Sequence, residues 1–216
     1  MKLLLFGATG MTGGAVLDAA LADGRVTAVT AIGRRASGRS HPKLEEIEHH
    51  DFLDHAAIED RMADAGACIF CLATYQAKVS KAAYEEITVG YPTALIAALE
   101  RVNPSIRFVL FSAMGSRPDG GGMMSYAAIK GRAEATLMQS ALAGRHAFRP
   151  SLIVPPPAGR AWYWPAGLLE LIFRIVPAAG IQAPDLGRVF IDVALNGDAP
   201  EVLENSDIRR RLRQLG

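Results

Sequence analysis

Apolar and polar positions alternate in blocks through the first 150 residues. Lys2–Phe6 is an unbroken apolar run after its lysine, the pattern of a strand buried on both faces. A glycine-rich turn follows, and alanine-rich Gly14–Ala22 predicts a helix. Val26–Ile32, β-branched and ended by Gly33, predicts a second strand; Leu44–His49 is a weaker third. Ala56–Ala63 predicts a short helix and Ala67–Cys71 a fourth strand. Ser80–Arg101 reads as one long helical segment kinked at Pro92. Arg107–Ser112 is a fifth strand, Met114–Met124 a glycine-rich loop, and Ser125–Ala143 a helix stopped by Gly144. His146–Arg149 is a sixth strand, ended by Pro150. From Pro155–Pro157 onward the pattern changes to two or three helices on irregular connections.

Strand alternating with helix implies a parallel sheet covered on both faces, and right-handed crossovers make the doubly wound α/β fold its natural topology. The length, 216 residues, suits one domain, with about 155–216 forming a small helical lid and C-terminal helices. Trp164–Val176, the longest late apolar stretch, is broken by Pro165, Glu170 and Arg174. It falls short of the ~20 residues of a spanning helix and predicts a core or lid helix. No secretory leader is expected, because Gly7 interrupts the first apolar run. A net charge of +1 offers no field for nucleic acid or a membrane surface. With two cysteines there is no disulfide framework, which fits a reducing cytoplasm.

The sharpest motif is Gly7-Ala8-Thr9-Gly10-Met11-Thr12-Gly13, set between the first strand and the first helix. There Gly7 makes the tight turn, Gly10 lets a pyrophosphate approach the backbone, and Gly13 permits close helix–strand packing. The first N–H groups of the helix then face the phosphates. After the second strand, where an NAD site carries an acid for the ribose 2′-hydroxyl, this chain has Gly33-Arg34-Arg35, two guanidiniums suited to a 2′-phosphate. NADP(H) is therefore expected over NAD(H). Tyr126 and Lys130 stand four apart on a helix and share a face, so the ammonium is expected to lower the phenol's pKa and fit it for acid–base work on a carbonyl or alcohol. Leu72-Ala73-Thr74 follows the fourth strand, at the sheet edge where ligands sit.

Gly7–Gly13, Arg34-Arg35, Tyr126/Lys130 and the strand-end Phe148-Arg149-Pro150 resemble the short-chain dehydrogenase/reductase superfamily. The stretches FVLFSAMGS, YAAIKGRAEATL and AFRPSLIVPP are similar to its atypical NAD(P)H-binding branch, the Tat-interacting-protein-like oxidoreductases. The resemblance implies a Rossmann domain, NADP(H) binding and a Tyr126/Lys130 pair at the nicotinamide, with Lys130 also bonding its ribose. It further implies cofactor contacts at Asp51-Phe52, where an acid bonds adenine, and at Pro150. The chain departs from that pattern at two places. The serine just past strand five falls at Ser112, early, or Ser116, late, and Thr88 replaces the family's helical asparagine.

Other features carry less. Cys68 and Cys71 are three apart on a strand and point to opposite faces, which argues against a zinc or redox pair. His49-His50 is expected at the surface without a third ligand, and no metal site is expected. Trp162-Tyr163-Trp164 suits a core, a dimer surface or a pocket wall. Arg209–Arg211 with Arg213 is expected to form the solvated face of a last helix. The resulting expectation is an NADP(H)-dependent oxidoreductase acting on a carbonyl or alcohol substrate with apolar surface. Tyr126, Lys130 and Ser112 would be its catalytic residues, in a monomer or homodimer. The alternatives are a cofactor-binding redox sensor without efficient turnover and a flavin or quinone reductase.

Overall fold

In the computed structural model, which describes residues 1–117, 125–155 and 180–216, Lys2–Phe6 forms β1 with Leu3, Leu4, Leu5 and Phe6 all buried. Alternation sends Leu3 and Leu5 to one face and Leu4 and Phe6 to the other. The same division runs through β2 (Ala28–Gly33), β4 (Ala67–Phe70) and β5 (Arg107–Phe111), and β6 (Gly144–Arg149) adds Phe148 to the first face. On the first face α1 (Met11–Ala22) and α6 (Ala183–Asn196) cover Val29, Ile69, Val109 and Phe148. On the second, Ile32, Cys68, Phe70, Phe108 and Leu110 meet α2 (Glu59–Met62), α4 (Tyr91–Val102) and α5 (Ser125–Gln139). Each such Leu, Ile, Val or Phe contributes roughly 1.5–3 kcal/mol by leaving water.

Among the described residues seven strands make one sheet in the order β3-β2-β1-β4-β5-β6-β9, where β3 is Leu44–Glu48 and β9 is Val202–Glu204. Every neighbouring pair is parallel. The order reverses between β1 and β4, which opens a crevice at the carboxyl edge of the sheet, as expected for the doubly wound fold. A separate parallel pair joins β7 (Leu152–Val154) to β8 (Gly180–Gln182).

Several expectations change in detail. The segment Ser80–Arg101 is not one kinked helix. Ser80 caps α3 (Lys81–Glu85), accepting from Ala83 N at 3.2 Å; a π-type turn, Glu86–Gly90, follows, and α4 begins at Tyr91 with Pro92 in its first turn. Proline has no N–H for the preceding turn and its ring needs room, and the wider turn supplies that room. The helix over 125–143 ends early, at Gln139, because Ser140 folds back on the Leu137 carbonyl at 2.7 Å and Arg145 takes those of Met138 and Ser140. Gly144 is no stop signal but the first residue of β6, where a Cβ would overlap the Arg107 side chain.

After Pro155 the chain is not helix alone: β8 and β9 are strands of three residues, too short to show a period. The basic run of α7 (Asn205–Gln214) is a solvated face only in part: Arg210 and Arg213 are exposed, whereas Arg209 and Arg211 turn inward. Arg211 Nε lies 2.6 Å from the buried Asp192 of α6, and Arg209 Nη1 2.7 Å from the Gly180 carbonyl. His49 is buried rather than at the surface, stacked on His55 at 5.4 Å, while His50 is exposed beside Glu48. The Trp162–Trp164 cluster, the Trp164–Val176 stretch and most of the expected lid lie outside the described residues. No helix among the described residues is long and apolar enough to cross a membrane.

Candidate active site

The glycine turn joins β1 to α1. Gly7 has φ +90°, and a Cβ there would lie 2.7 Å from the Cys71 carbonyl carbon, so β4 leaves no room for a side chain. At Gly13 a Cβ would overlap the Gly7 carbonyl oxygen, the close helix–strand approach expected of this position. Gly10 differs: its φ is −82°, and a Cβ would meet Gly7 O at an ordinary 3.4 Å. Nothing inside the described chain requires glycine there. The residue is exposed, as are Thr9 and Met11, while Thr12 is buried. The first helical bond runs from Gly14 N to Gly10 O at 2.7 Å, leaving the N–H groups of Met11, Thr12 and Gly13 without partners along the helix. The first turn carries no acid. This cradle, which a side chain at Gly10 would fill, fits a dinucleotide pyrophosphate.

Arg34 and Arg35 follow β2 on the same sheet edge, both exposed, with no ion pair or hydrogen bond of their own among the described residues. A third arginine of this loop, Arg39, was not singled out from the sequence. It is tied to α1, Nε 2.6 Å and Nη2 2.9 Å from the Asp18 carboxylate. Asp51 stays exposed, its Oδ1 accepting from Leu53 N at 3.0 Å. Phe52 is not a free contact surface. Its ring is in the core, 5.2 Å from the Tyr91 ring and 5.4 Å from that of His49.

The Tyr126/Lys130 pair lies further along the edge. Leu72, Thr88, Phe111, Ser112 and Lys130 line one small cleft; Ala73 and Thr74 follow Leu72 outward, Ala73 exposed. Across β6, Pro150 is buried and its carbonyl accepts from Met114 N at 3.1 Å. Lys130 is 7% exposed, its Nζ 3.4 Å from the Phe111 carbonyl oxygen and 5.9 Å from the Tyr126 ring centroid. Burial pulls its pKa down to about 8, against the opposing pull of Glu134 and then Cys71. Tyr126 stacks on Tyr84 at 6.0 Å. Here one expectation fails: the phenol is not lowered. Burial, then Tyr84 and Tyr75, push it up to about 12, because its desolvation outweighs an ammonium that does not reach the hydroxyl.

Ser112 is buried at the end of β5, and its hydroxyl donates to Glu134, with Ser116 Oγ 3.0 Å away. The two candidate serines therefore meet each other, and Ser112 also meets a carboxylate that had not been singled out, while the Ser116 hydroxyl lies 2.7 Å from the Ala113 carbonyl oxygen. The signal for Glu134 was its place four residues beyond Lys130. Gly131 was also missed: Arg117 crosses α5 so closely that a Cβ there would overlap its carbonyl oxygen. Thr88 lies in the π-type turn over the cleft. Cys68 and Cys71 are buried on opposite sides of the sheet, as their spacing implies.

A parallel sheet with this strand order and a glycine turn at its crevice defines a dinucleotide-binding Rossmann protein. The chain belongs to the NAD(P)H-binding family, whose model matches residues 7–144. No curated protein matches it. Among solved structures it is similar to the enzyme WbmH of Bordetella bronchiseptica in complex with NAD+, at 21% identity over 94% of this chain and 74% of that one, TM-score 0.69. It is also similar to the oxidoreductase ylbE of Lactococcus lactis, at 14% identity over 100% and 96%, TM-score 0.70. A short chain dehydrogenase family protein of Francisella tularensis shares 13% over 96% and 98%, TM-score 0.68. At these identities the likeness is one of fold.

Proposed function

We propose that this protein is an NADP(H)-dependent oxidoreductase that transfers a hydride to or from a carbonyl or alcohol substrate with apolar surface. The observation that carries the reading is the spacing of Tyr126 and Lys130, which puts them on one face of α5, with Lys130 lining the cleft beside β4 and β5 on the sheet edge that also holds the glycine turn. Gly7, Gly10 and Gly13 with the N–H groups of Thr9, Met11 and Thr12 would hold the pyrophosphate. Arg34 and Arg35 would hold a 2′-phosphate, Asp51 and the Phe52 backbone the adenine side, and Leu72, Ala73, Thr74, Lys130 and Pro150 the nicotinamide half. When bound there, the cofactor would supply the hydride chemistry. Tyr126 would give the proton to the carbonyl oxygen, or take it from the alcohol, and Lys130 would bond the nicotinamide ribose. The large apolar side chains exposed on the loops after β4 and β5, Tyr75 at 58% and Met114 at 61%, support an apolar substrate.

A second reading, a cofactor-binding sensor without efficient turnover, is favoured by the Ser112 hydroxyl, whose proton is engaged by Glu134. Steady-state NADPH oxidation with aldehydes, ketones, quinones and flavins, for wild type and Tyr126→Phe, separates these. The oxidoreductase reading expects carbonyl turnover that drops by roughly 10²–10⁴ in Tyr126→Phe. Quinone or flavin turnover untouched by the substitution would move the assignment to a reductase that does not use the phenol. Cofactor binding with no turnover would leave the sensor.

A further inference from the structure

A buried carboxylate stands one helical turn beyond the lysine of the site. On α5, Tyr126, Lys130 and Glu134 recur every fourth residue and therefore share a face. Glu134 is 0% exposed. Arg149, on β6, clasps it: Nε lies 3.0 Å from Oε1 and 3.1 Å from Oε2. The far side of Arg149 holds Glu204, with Nη1 2.8 Å from Oε1. The Ser112 hydroxyl donates to the same Oε1 that Arg149 Nε touches. A guanidinium that bonds both oxygens of a carboxylate is a strong, charge-assisted partner. A hydroxyl has one proton, so Ser112, having committed its own to Glu134, meets anything else with lone pairs.

Lys130 has no comparable partner among the described residues. No direct ion pair joins it to Glu134, and its Nζ makes one long bond, 3.4 Å, to the Phe111 carbonyl. The titratable groups that face it are Tyr126 and Glu134 on its own helix and Cys71 after β4, with the aromatic ring of Phe111 5.3 Å away. Those facing Glu134 are Arg149 from β6, itself shared with Glu204, and Lys130. An ammonium at this depth needs a negative charge near it, and Glu134 is the carboxylate that supplies it.

We propose that Glu134 is a positioning residue of this site: from one turn away its carboxylate offsets the buried charge of Lys130, and it takes the Ser112 proton so that Ser112 presents only lone pairs to a ligand. The inference rests on the proposed place of Lys130 beside the cofactor. It also bears on the two readings of function. A serine that only accepts cannot polarise a carbonyl oxygen, and that work falls to Tyr126 alone.

The test is direct titration of Lys130 in ligand-free protein by NMR of isotope-labelled lysine, assigned with Lys130→Arg. Glu134→Gln should move the Lys130 midpoint down by about one pH unit, since a charge is lost at near-constant shape. Glu134→Asp, which keeps the charge, should bring most of it back. Arg149→Gln should move the midpoint the other way by unmasking the carboxylate, and it carries the test if Glu134→Gln does not fold. A midpoint unmoved in these variants overturns the proposal, because a purely structural role would lower stability at every pH and leave the titration in place. The pH dependence of NADPH affinity is the second readout, with an alkaline limb that should follow the Lys130 midpoint downward in Glu134→Gln. If the midpoint moves and the limb does not, Lys130 does not touch the cofactor; the proposed function then fails while the role of Glu134 toward Lys130 stands.

Discussion

Gly13 packs so closely on the carbonyl oxygen of Gly7 that a Cβ would overlap it, whereas a Cβ on Gly10 would meet that same oxygen at an unstrained 3.4 Å. Two glycines of one motif therefore answer to different demands. The fold needs Gly13, and a ligand needs Gly10. Gly10→Val should leave the circular dichroism and the unfolding midpoint near wild type while abolishing cofactor binding. Gly13→Val should cost the fold about 1–3 kcal/mol or more through overpacking, read by urea unfolding. A Gly10→Val protein that still binds NADPH normally would remove the pyrophosphate from this turn.

Arg34 and Arg35 are exposed and free of ion pairs among the described residues, so their replacement should cost the fold little. The double change to alanine should weaken NADPH by about tenfold or more, near 1.4 kcal/mol, and leave NADH affinity where it was. Calorimetry with both nucleotides measures this. Equal losses for the two cofactors would mean that the guanidiniums do not read a 2′-phosphate.

Lys130 is expected to destabilise the fold it serves. Its folded pKa, about 8, lies below the ordinary lysine value of 10.5. Below pH 8 both folded and unfolded chains carry the proton, and the cost of burying the charge is fully present, on the order of 3 kcal/mol. Between about 8 and 10.5 the folded state sheds the proton first, so stability rises with pH and the cost fades. Lys130→Met should therefore be more stable than wild type in urea at pH 7, with the advantage shrinking by pH 10. A variant less stable than wild type at pH 7 would show that the ammonium is better compensated than its surroundings indicate.

His55 sets a limit on the acid side. It is buried against His49 and the edge of Phe6, and neither ring nitrogen finds a hydrogen-bond partner of good geometry among the described residues. Burial first, and the charge of His49 second, lower its pKa from 6.5 to about 4. The folded state then binds fewer protons than the unfolded one between those values, so the stability present above pH 6.5 is lost as the pH falls toward 4. His55→Phe should be close to wild type at pH 8 and more stable by about 2 kcal/mol at pH 5. A stability difference that does not change between these pH values would place the charge elsewhere.

The sequence by itself determined what short-range spacing encodes. The run Lys2–Phe6 can only be a strand buried on both faces, the glycines at 7, 10 and 13 mark a turn into a helix, and four residues between Tyr126 and Lys130 place them on one helical face whatever surrounds them. These are periodicities of two and 3.6 residues, local properties of the backbone. The tertiary structure decided everything that depends on which elements meet. The Phe52 ring belongs to the core because β1 and α4 close over it, although its neighbour Asp51 stays in water. The phenol of Tyr126 is raised rather than lowered because Tyr84, from another helix, stacks on it and excludes solvent. Glu134 acquires its role from Arg149 and Ser112, 15 and 22 residues away in sequence. Strand β9 joins the sheet because β6 offers it an edge, a long-range pairing that three residues cannot announce by pattern. Desolvation and charge pairing act through space, and a spacing rule sees only along the chain.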